Sequence, residues 1–278
     1  MIFLCLAILS SALVSIFMRL SENHIKNNAS MLAVNYVMCT FMAALYAGPA
    51  DLFPRQAGLG TTLLLGVISG VFYLGGFLLL QWNVSKNGVV LSATFMKLGV
   101  LVPTLMSILI FHESPSPAQV LGLAGAFAAI LLINFQRGAG KAANGAGLIV
   151  LLVIGGMTDA MSKIYEQVGR PELESHFLFY IFLSALILCA GLIVFRKQRV
   201  GSTEVFFGLL VGVPNYFSSR FLLLSLSNVP AVVAFPTYSV ATIVLVTLVG
   251  RLCFRETLDR RRQSALLVIL LSLVLLNL

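Results

Sequence analysis

Two stretches, ILIFHESPSPAQVLGLAGAFAAILLIN at 108–134 and RLCFRETLDRRRQSALLVILLSLVLLN at 251–277, carry the architecture of this chain. Set against each other at a constant spacing of 143 residues they align without a gap: Phe111 meets Phe254, Glu113 meets Glu256, and Asn134 meets Asn277. The same spacing extends upstream, where Tyr73 meets Tyr216, Val89-Val90 meets Val232-Val233, Thr94 meets Thr237 and Thr104 meets Thr247. Apolar matches between two hydrophobic regions arise easily by chance, whereas polar matches at one fixed offset do not. The chain therefore reads as two related halves, 1–138 and 139–278, forming one unit.

What each half is made of follows from composition. Of 278 residues, 59% are hydrophobic and 10% charged, with a mean hydropathy of +1.00. A soluble domain spends about a quarter of its residues on charge, so a water-soluble fold is excluded. Apolar runs fall near 1–20, 31–48, 59–82, 88–111, 117–135, 145–165, 176–195, 203–224, 230–254 and 263–278. A bilayer core takes about 20 apolar residues per helix, which predicts an all-α integral membrane protein of ten transmembrane helices. Five spans per half is an odd number, so the halves lie upside-down to one another. Inverted repeats of that kind typify secondary transporters, with the substrate site near the midplane. The first run has no basic residue ahead of it, which reads as a membrane helix and not a cleavable signal.

Connectors such as SENHIKNNAS, GPADLFPRQ, NVSKNG, HESPSP and RKQRVGSTE hold most of the charge. Loops after odd spans, with their flanks, carry 13 Lys and Arg (Arg19, Lys26, Lys86, Arg137, Lys141, Arg196, Lys197, Arg199, Arg251, Arg255 and Arg260 to Arg262). Loops after even spans carry 3: Arg55, Lys163 and Arg170. Positive-inside bias then places odd loops in the cytoplasm and both termini outside a bacterial inner (plasma) membrane. The net charge of +8 reads as orientation and phospholipid contact; no nucleic-acid partner is expected. Gly66, Gly70, Gly75 and Gly76 in the third span predict close packing on another helix. The cysteines (Cys5, Cys39, Cys189, Cys253) lie in apolar runs without CxxC spacing, and the histidines stand singly, so neither disulfide nor metal nor cofactor is expected.

Residues 108–134 and 251–277 resemble the drug/metabolite transporter superfamily, EamA type, in which each five-helix half ends with a helix, a glutamate at its mouth, a short loop and a Gly-containing helix. Glu113 and Glu256 match that glutamate, and Gln119 with Gly122 matches residues that often follow it; Arg262 and Ala265 replace the latter two in the second half. The resemblance implies a transporter and leaves the substrate open. Small multidrug members use a glutamate in their first helix for proton exchange, and span 1 here has no acidic residue within its apolar run.

A charge inside a span is costly and faces a cavity or a partner. Lys97, about ten residues into span 4, reads as a cationic lining of the substrate cavity, or as a structurally paired lysine. Arg220 in span 8 is a second cation, able to hold a carboxylate or phosphate by parallel hydrogen bonds, with snorkelling as the competing reading. Asp159 and Lys163 stand four apart on one helix face, either as a self-neutralising pair or with Asp159 carrying a coupling proton. At a slightly different offset Ser15 and Arg19 stand opposite them. Tyr73, Tyr216, Asn215 and Tyr238 complete the candidate substrate-binding set, and Trp82 reads as an interfacial anchor. Pro103 and Pro214 permit kinks. Glu113 and Glu256 are expected to cap the helix that follows each, or to pair with nearby arginines.

HExxH, GxSxG and Walker sequences are absent, which argues against an intramembrane enzyme and against ATP-driven transport within the chain. The expected function is secondary transport of a small metabolite by alternating access, as a monomer or homodimer. The charges inside the spans net about +2 and favour an anionic or zwitterionic substrate: an organic anion, a phosphorylated metabolite or an amino acid. The alternatives are export of multidrug-type cationic or aromatic compounds, and flipping of lipid-linked intermediates.

Overall fold

A computed structural model describes residues 1–22, 24–134, 144–253 and 260–278. Among them every regular element is helical: α1 (Ile2–Ser21), α2 (Asn28–Ala47), α3 (Leu59–Asn87), α4 (Val89–Leu98), α5 (Leu101–Leu109), α6 (Pro117–Asn134), α7 (Gly145–Val168), α8 (Glu174–Phe195), α9 (Ser202–Leu226), α10 (Ala231–Cys253) and α11 (Arg260–Leu276). Eight are long and apolar enough to cross a bilayer, with α4 and α5 counted together as Leu91–Leu109. α6 and α11 fall short of that standard, with apolar stretches of Pro117–Leu132 and Gln263–Leu276. The 18 residues of α6 give roughly 27 Å of helix against a hydrocarbon core of roughly 30 Å.

Two expected helix features are corrected. Span 4 breaks at Gly99-Val100 and not at Pro103, which sits in the first turn of α5. There its missing N–H would be unsatisfied in any case, and the Gly99 carbonyl accepts instead from Val102 N at 2.9 Å. Pro214 lies inside α9, which stays helical throughout. In addition, α3 runs on to Asn87, through residues that read as a loop. Its last turn is held by amides: Asn83 Nδ2 donates to Leu79 O (2.9 Å) and Gly147 O (3.0 Å), and Asn87 Nδ2 to Asn83 Oδ1 (3.0 Å) and Asn144 O (3.1 Å).

The chain forms two compact units, one of Met1, Gly75–Lys163 and Leu226–Leu278, the other of Ile2–Leu74 and Ile164–Ser225. Each draws on both sequence halves; the boundary expected at 138/139 lies outside the described residues. In the first unit α6 packs on α11 and α5 on α10. A Cβ on Gly122 would stand 2.9 Å from Leu276 N, so glycine sets that approach. α6 opens with a reciprocal box: Gln119 N donates to Ser116 Oγ (3.2 Å) and Ser116 N to Gln119 Oε1 (3.0 Å), satisfying two otherwise orphan donors.

In the second unit α2 packs on α8, and α3 meets α8 through two glycines. A Cβ on Gly66 would come within 2.6 Å of Tyr180 Cβ, and one on Gly70 within 2.8 Å of Ile181 O. α9 meets α2 in the same manner: Gly208 lies under Val34 and Met31 O, and Gly212 under Met38 and Asn35 O. Glu204, buried in the first turn of α9, accepts from Lys26 N (2.8 Å) and Asn27 N (3.3 Å). It thereby fixes the turn from which Asn27 caps α2.

Candidate functional site

In the first unit the charges are positioned by a glycine crossing. Gly99 and Gly156 touch: a Cβ on Gly99 would stand 2.9 Å from Gly156 N and 3.1 Å from Leu152 O. Small residues let helices approach this closely. The crossing sets Lys97, two residues before Gly99, against Asp159, three residues after Gly156, and the two are electrostatically coupled. Lys97 is exposed and Asp159 half-buried, so both reach an accessible surface.

Lys163 has a different acid. Its Nζ lies 3.0 Å from Glu113 Oε1, with the two side chains 6% and 16% exposed, and 5.7 Å from the centroid of the Phe111 ring. The spacing of Asp159 and Lys163 suggested a pair within α7; the structure gives Lys163 a carboxylate from another segment, while Asp159 and Lys97 of α4 act on each other at longer range. Glu113 is also corrected. It caps not α6, which has its own box, but α10: Oε1 accepts from Ala231 N (3.1 Å) and Oε2 from Val232 N (2.8 Å). Burial pushes this loop carboxyl up, but the Val232 and Ala231 amides and Lys163 outweigh it and hold its pKa below the ordinary value. Glu256, Arg255 and Phe254 lie outside the described residues, as do Arg137 and Lys141.

The second unit holds Arg220. Its Nη1 donates to Tyr216 Oη and to Ser175 Oγ, both at 3.1 Å, and its Cζ lies 4.2 Å over the Tyr46 ring. Tyr46 stacks on Tyr216, with centroids 5.7 Å apart, and meets Phe217 edge-on. Among the described residues no carboxylate oxygen lies within 4 Å of Arg220; Glu174 at the start of α8 acts on it only at longer range. Arg220 sits six residues before the end of α9, about 9 Å along the axis, and is half-buried.

Tyr73 and Asn215 belong to the same unit. Tyr73 Oη and Ser219 Oγ are 3.3 Å apart, and the Tyr73 ring meets Tyr36 and Phe182 edge-on. Asn215 Nδ2 donates to Asn35 Oδ1 (3.2 Å) and Cys39 Sγ (3.6 Å). One face of α9 thus carries Asn215, Tyr216, Ser219 and Arg220, joined to α2, α3 and α8 by hydrogen bonds and rings. Tyr238 lies on α10 in the first unit, half-buried; its carbonyl accepts from Thr242 Oγ1 at 2.7 Å.

Tyr46, Ser175, Glu174 and Glu204 were not singled out from sequence. Glu174 and Glu204 carried a readable signal, an acid in the first turn of a helix. Trp82 is half-exposed and packs on Gly147.

Residues 1–135 match the EamA-like transporter family. Over 271 residues the chain is 24% identical to an uncharacterized protein of Haemophilus influenzae, an alignment covering 92% of this chain and 91% of that one. A protein solved by crystallography superposes with a TM-score of 0.78 at 15% identity, over 99% of this chain and 94% of that chain. At that identity the likeness shows the fold alone.

Proposed function

We propose, from the match of residues 1–135 to the EamA-like transporter family, part of the drug/metabolite transporter superfamily, that this multi-pass membrane protein is a secondary carrier moving a small anionic or zwitterionic metabolite by alternating access. Arg220 is the group that takes the anionic end. The observation carrying this reading is the company that the cations inside the spans keep. Lys163 has Glu113 at 3.0 Å, whereas the described partners of Arg220 within bonding distance are neutral hydroxyls and a ring that hold its fork in place; Lys97 and Arg220 each feel a carboxylate, Asp159 and Glu174, only at longer range. A half-buried guanidinium so placed is stabilised by an incoming carboxylate or phosphate.

Ten spans in a 5+5 inverted repeat remain the reading of the architecture, with odd loops cytoplasmic. Its support within one unit is the reciprocal glycine packing, α3 on α8 and α9 on α2. Related helices of the two halves thus use the same device on related partners. Lys97 and Asp159 form the second polar locus, where Asp159 carries the coupling proton if transport is proton-driven.

The test is thermal stability of the detergent-purified protein against anionic, zwitterionic and cationic metabolites, repeated on Arg220→Ala and Lys97→Ala. A ligand at 100 times its Kd stabilises by about 2.7 kcal/mol. Anions that stabilise the parent and not Arg220→Ala support the reading. Cations or apolar compounds that stabilise all three proteins equally refute it.

A further inference from the structure

We propose that Tyr46, assisted by Ser175, is a positioning residue that fixes Arg220 so that an anionic group docks along one edge of its guanidinium; this rests on Arg220 being the anion site. An arginine has five N–H donors, two on each Nη and one on Nε. Both Nη1 hydrogens are committed, one to Tyr216 Oη and one to Ser175 Oγ at 3.1 Å each. The Tyr46 ring covers a face of the same plane at 4.2 Å. What remains is the Nε–Nη2 edge, whose two parallel N–H groups match the two oxygens of a carboxylate or of a phosphate.

The platform is itself held. Tyr46 stands one residue before the end of α2 and is 48% exposed, so nothing in its burial requires an aromatic side chain there. Yet its ring is fixed by stacking on Tyr216 (5.7 Å, 23°) and by an edge contact with Phe217 (6.1 Å, 81°). Tyr216 therefore touches both the guanidinium and the ring beneath it. Contacts from α2, α8 and α9 remove the rotamer freedom of Arg220 before any ligand arrives, and pre-organisation of that kind is returned as affinity. Tyr46 touches no ligand in this arrangement; it acts through Arg220.

The test uses the full detergent-purified chain, titrated with sodium succinate and with inorganic phosphate and followed by thermal stability. The two probes separate a carboxylate-reading edge from a phosphate-reading one. Tyr46→Phe, which keeps the ring, is expected to bind as the parent does. Tyr46→Leu is expected to bind about tenfold more weakly, the size of one partly desolvated cation–π contact, while the unliganded protein, short of two ring contacts, melts a few degrees lower and stays folded at the titration temperature. Ser175→Ala is expected to weaken binding in the same direction. Arg220→Lys keeps the charge without the fork and is expected to bind no better than Arg220→Ala. If Tyr46→Leu binds like the parent while Arg220→Ala does not bind, the positioning role is overturned and Arg220 stands. If Arg220→Ala binds like the parent, or neither probe stabilises the parent, the anion-site reading itself falls.

Discussion

Replacing Glu113 by glutamine tests whether one side chain ties Lys163 of α7 to the N-terminus of α10. The carboxylate accepts from Val232 N at 2.8 Å and Ala231 N at 3.1 Å, and lies 3.0 Å from Lys163 Nζ. Glutamine keeps one acceptor oxygen, so a single amide bond survives. The other bond, to a charged acceptor, is worth about 1.5–3 kcal/mol. Breaking a buried ion pair costs about 3–5 kcal/mol, and Lys163 is 6% exposed. These costs overlap, and Lys163 has further interactions, so about 3 kcal/mol is the expected loss in unfolding stability. The assay is thermal and denaturant unfolding in one detergent for Glu113→Gln, Lys163→Met and the double variant. Once Lys163 is gone the missing carboxylate matters less, so the double variant should be less destabilised than the sum of the singles by at least about 1.5 kcal/mol. The pH dependence has a definite sign. The folded-state pKa of Glu113 lies below the ordinary glutamate value of 4.5, so its contribution is fully present above that value. It is lost as pH falls through the depressed one. The parent should therefore lose stability below about pH 4.5 in a way that Glu113→Gln does not. Strictly additive single variants, or an identical acid limb in both proteins, would refute the cap-and-pair reasoning.

Four further outcomes are expected. Lys97→Ala should abolish uptake in proteoliposomes while melting stays near that of the parent; Asp159→Asn should keep exchange but lose pH-driven accumulation, and unaltered accumulation would exclude Asp159 as the coupling acid. Gly70→Val should drive a side chain into Ile181 O, where a Cβ alone would already stand at 2.8 Å. It should lower the unfolding midpoint by several degrees, whereas Gly76→Ala, with open space around it, should not. In a background lacking native thiols, Gln56→Cys should react with an impermeant maleimide from outside the cell and Gln198→Cys should not; the reverse pattern would invert the Lys/Arg orientation.

How much of this was legible in sequence depends on the range of the interaction. The apolar segments, and the glycines that mark close approaches, are local signals, and Gly66 and Gly70 do seat α3 on another helix. Sequence did not say which helix. The break at Gly99 was hidden because Pro103 looked like the natural cause. A proline in a first turn disturbs nothing, while the break falls at Gly99, where the chain meets Gly156 closely. Glu113 shows the limit most sharply. A glutamate just before a helix is read as that helix's cap, and only the fold brings this carboxylate to the N-terminus of α10, 118 residues away. Tyr46 was equally opaque, as an aromatic at a helix end, because its meaning lies in Arg220 of α9.

The same contrast separates Lys163, Lys97 and Arg220. A lysine with a carboxylate at 3.0 Å has its charge balanced within the fold, and removing that acid, not adding a ligand, changes its state. Lys163 is thus tied to the N-terminus of α10. Lys97 shares its surroundings with Asp159, so an anion arriving there competes with an acid already present and is favoured more when that acid is protonated. This makes the pair suited to coupling and poorly suited to unaided anion capture. Arg220, solvated by hydroxyls and a ring face, gains most from an added anion, because its near partners supply no opposing charge to displace. If the two loci divide the work in this way, Arg220→Ala should raise the concentration needed for half-maximal uptake at every pH. Asp159→Asn should leave that concentration nearly fixed and flatten the pH profile. Equal effects of both changes on affinity and on pH dependence would mean that one site does both jobs, and the division argued from their partners would be wrong.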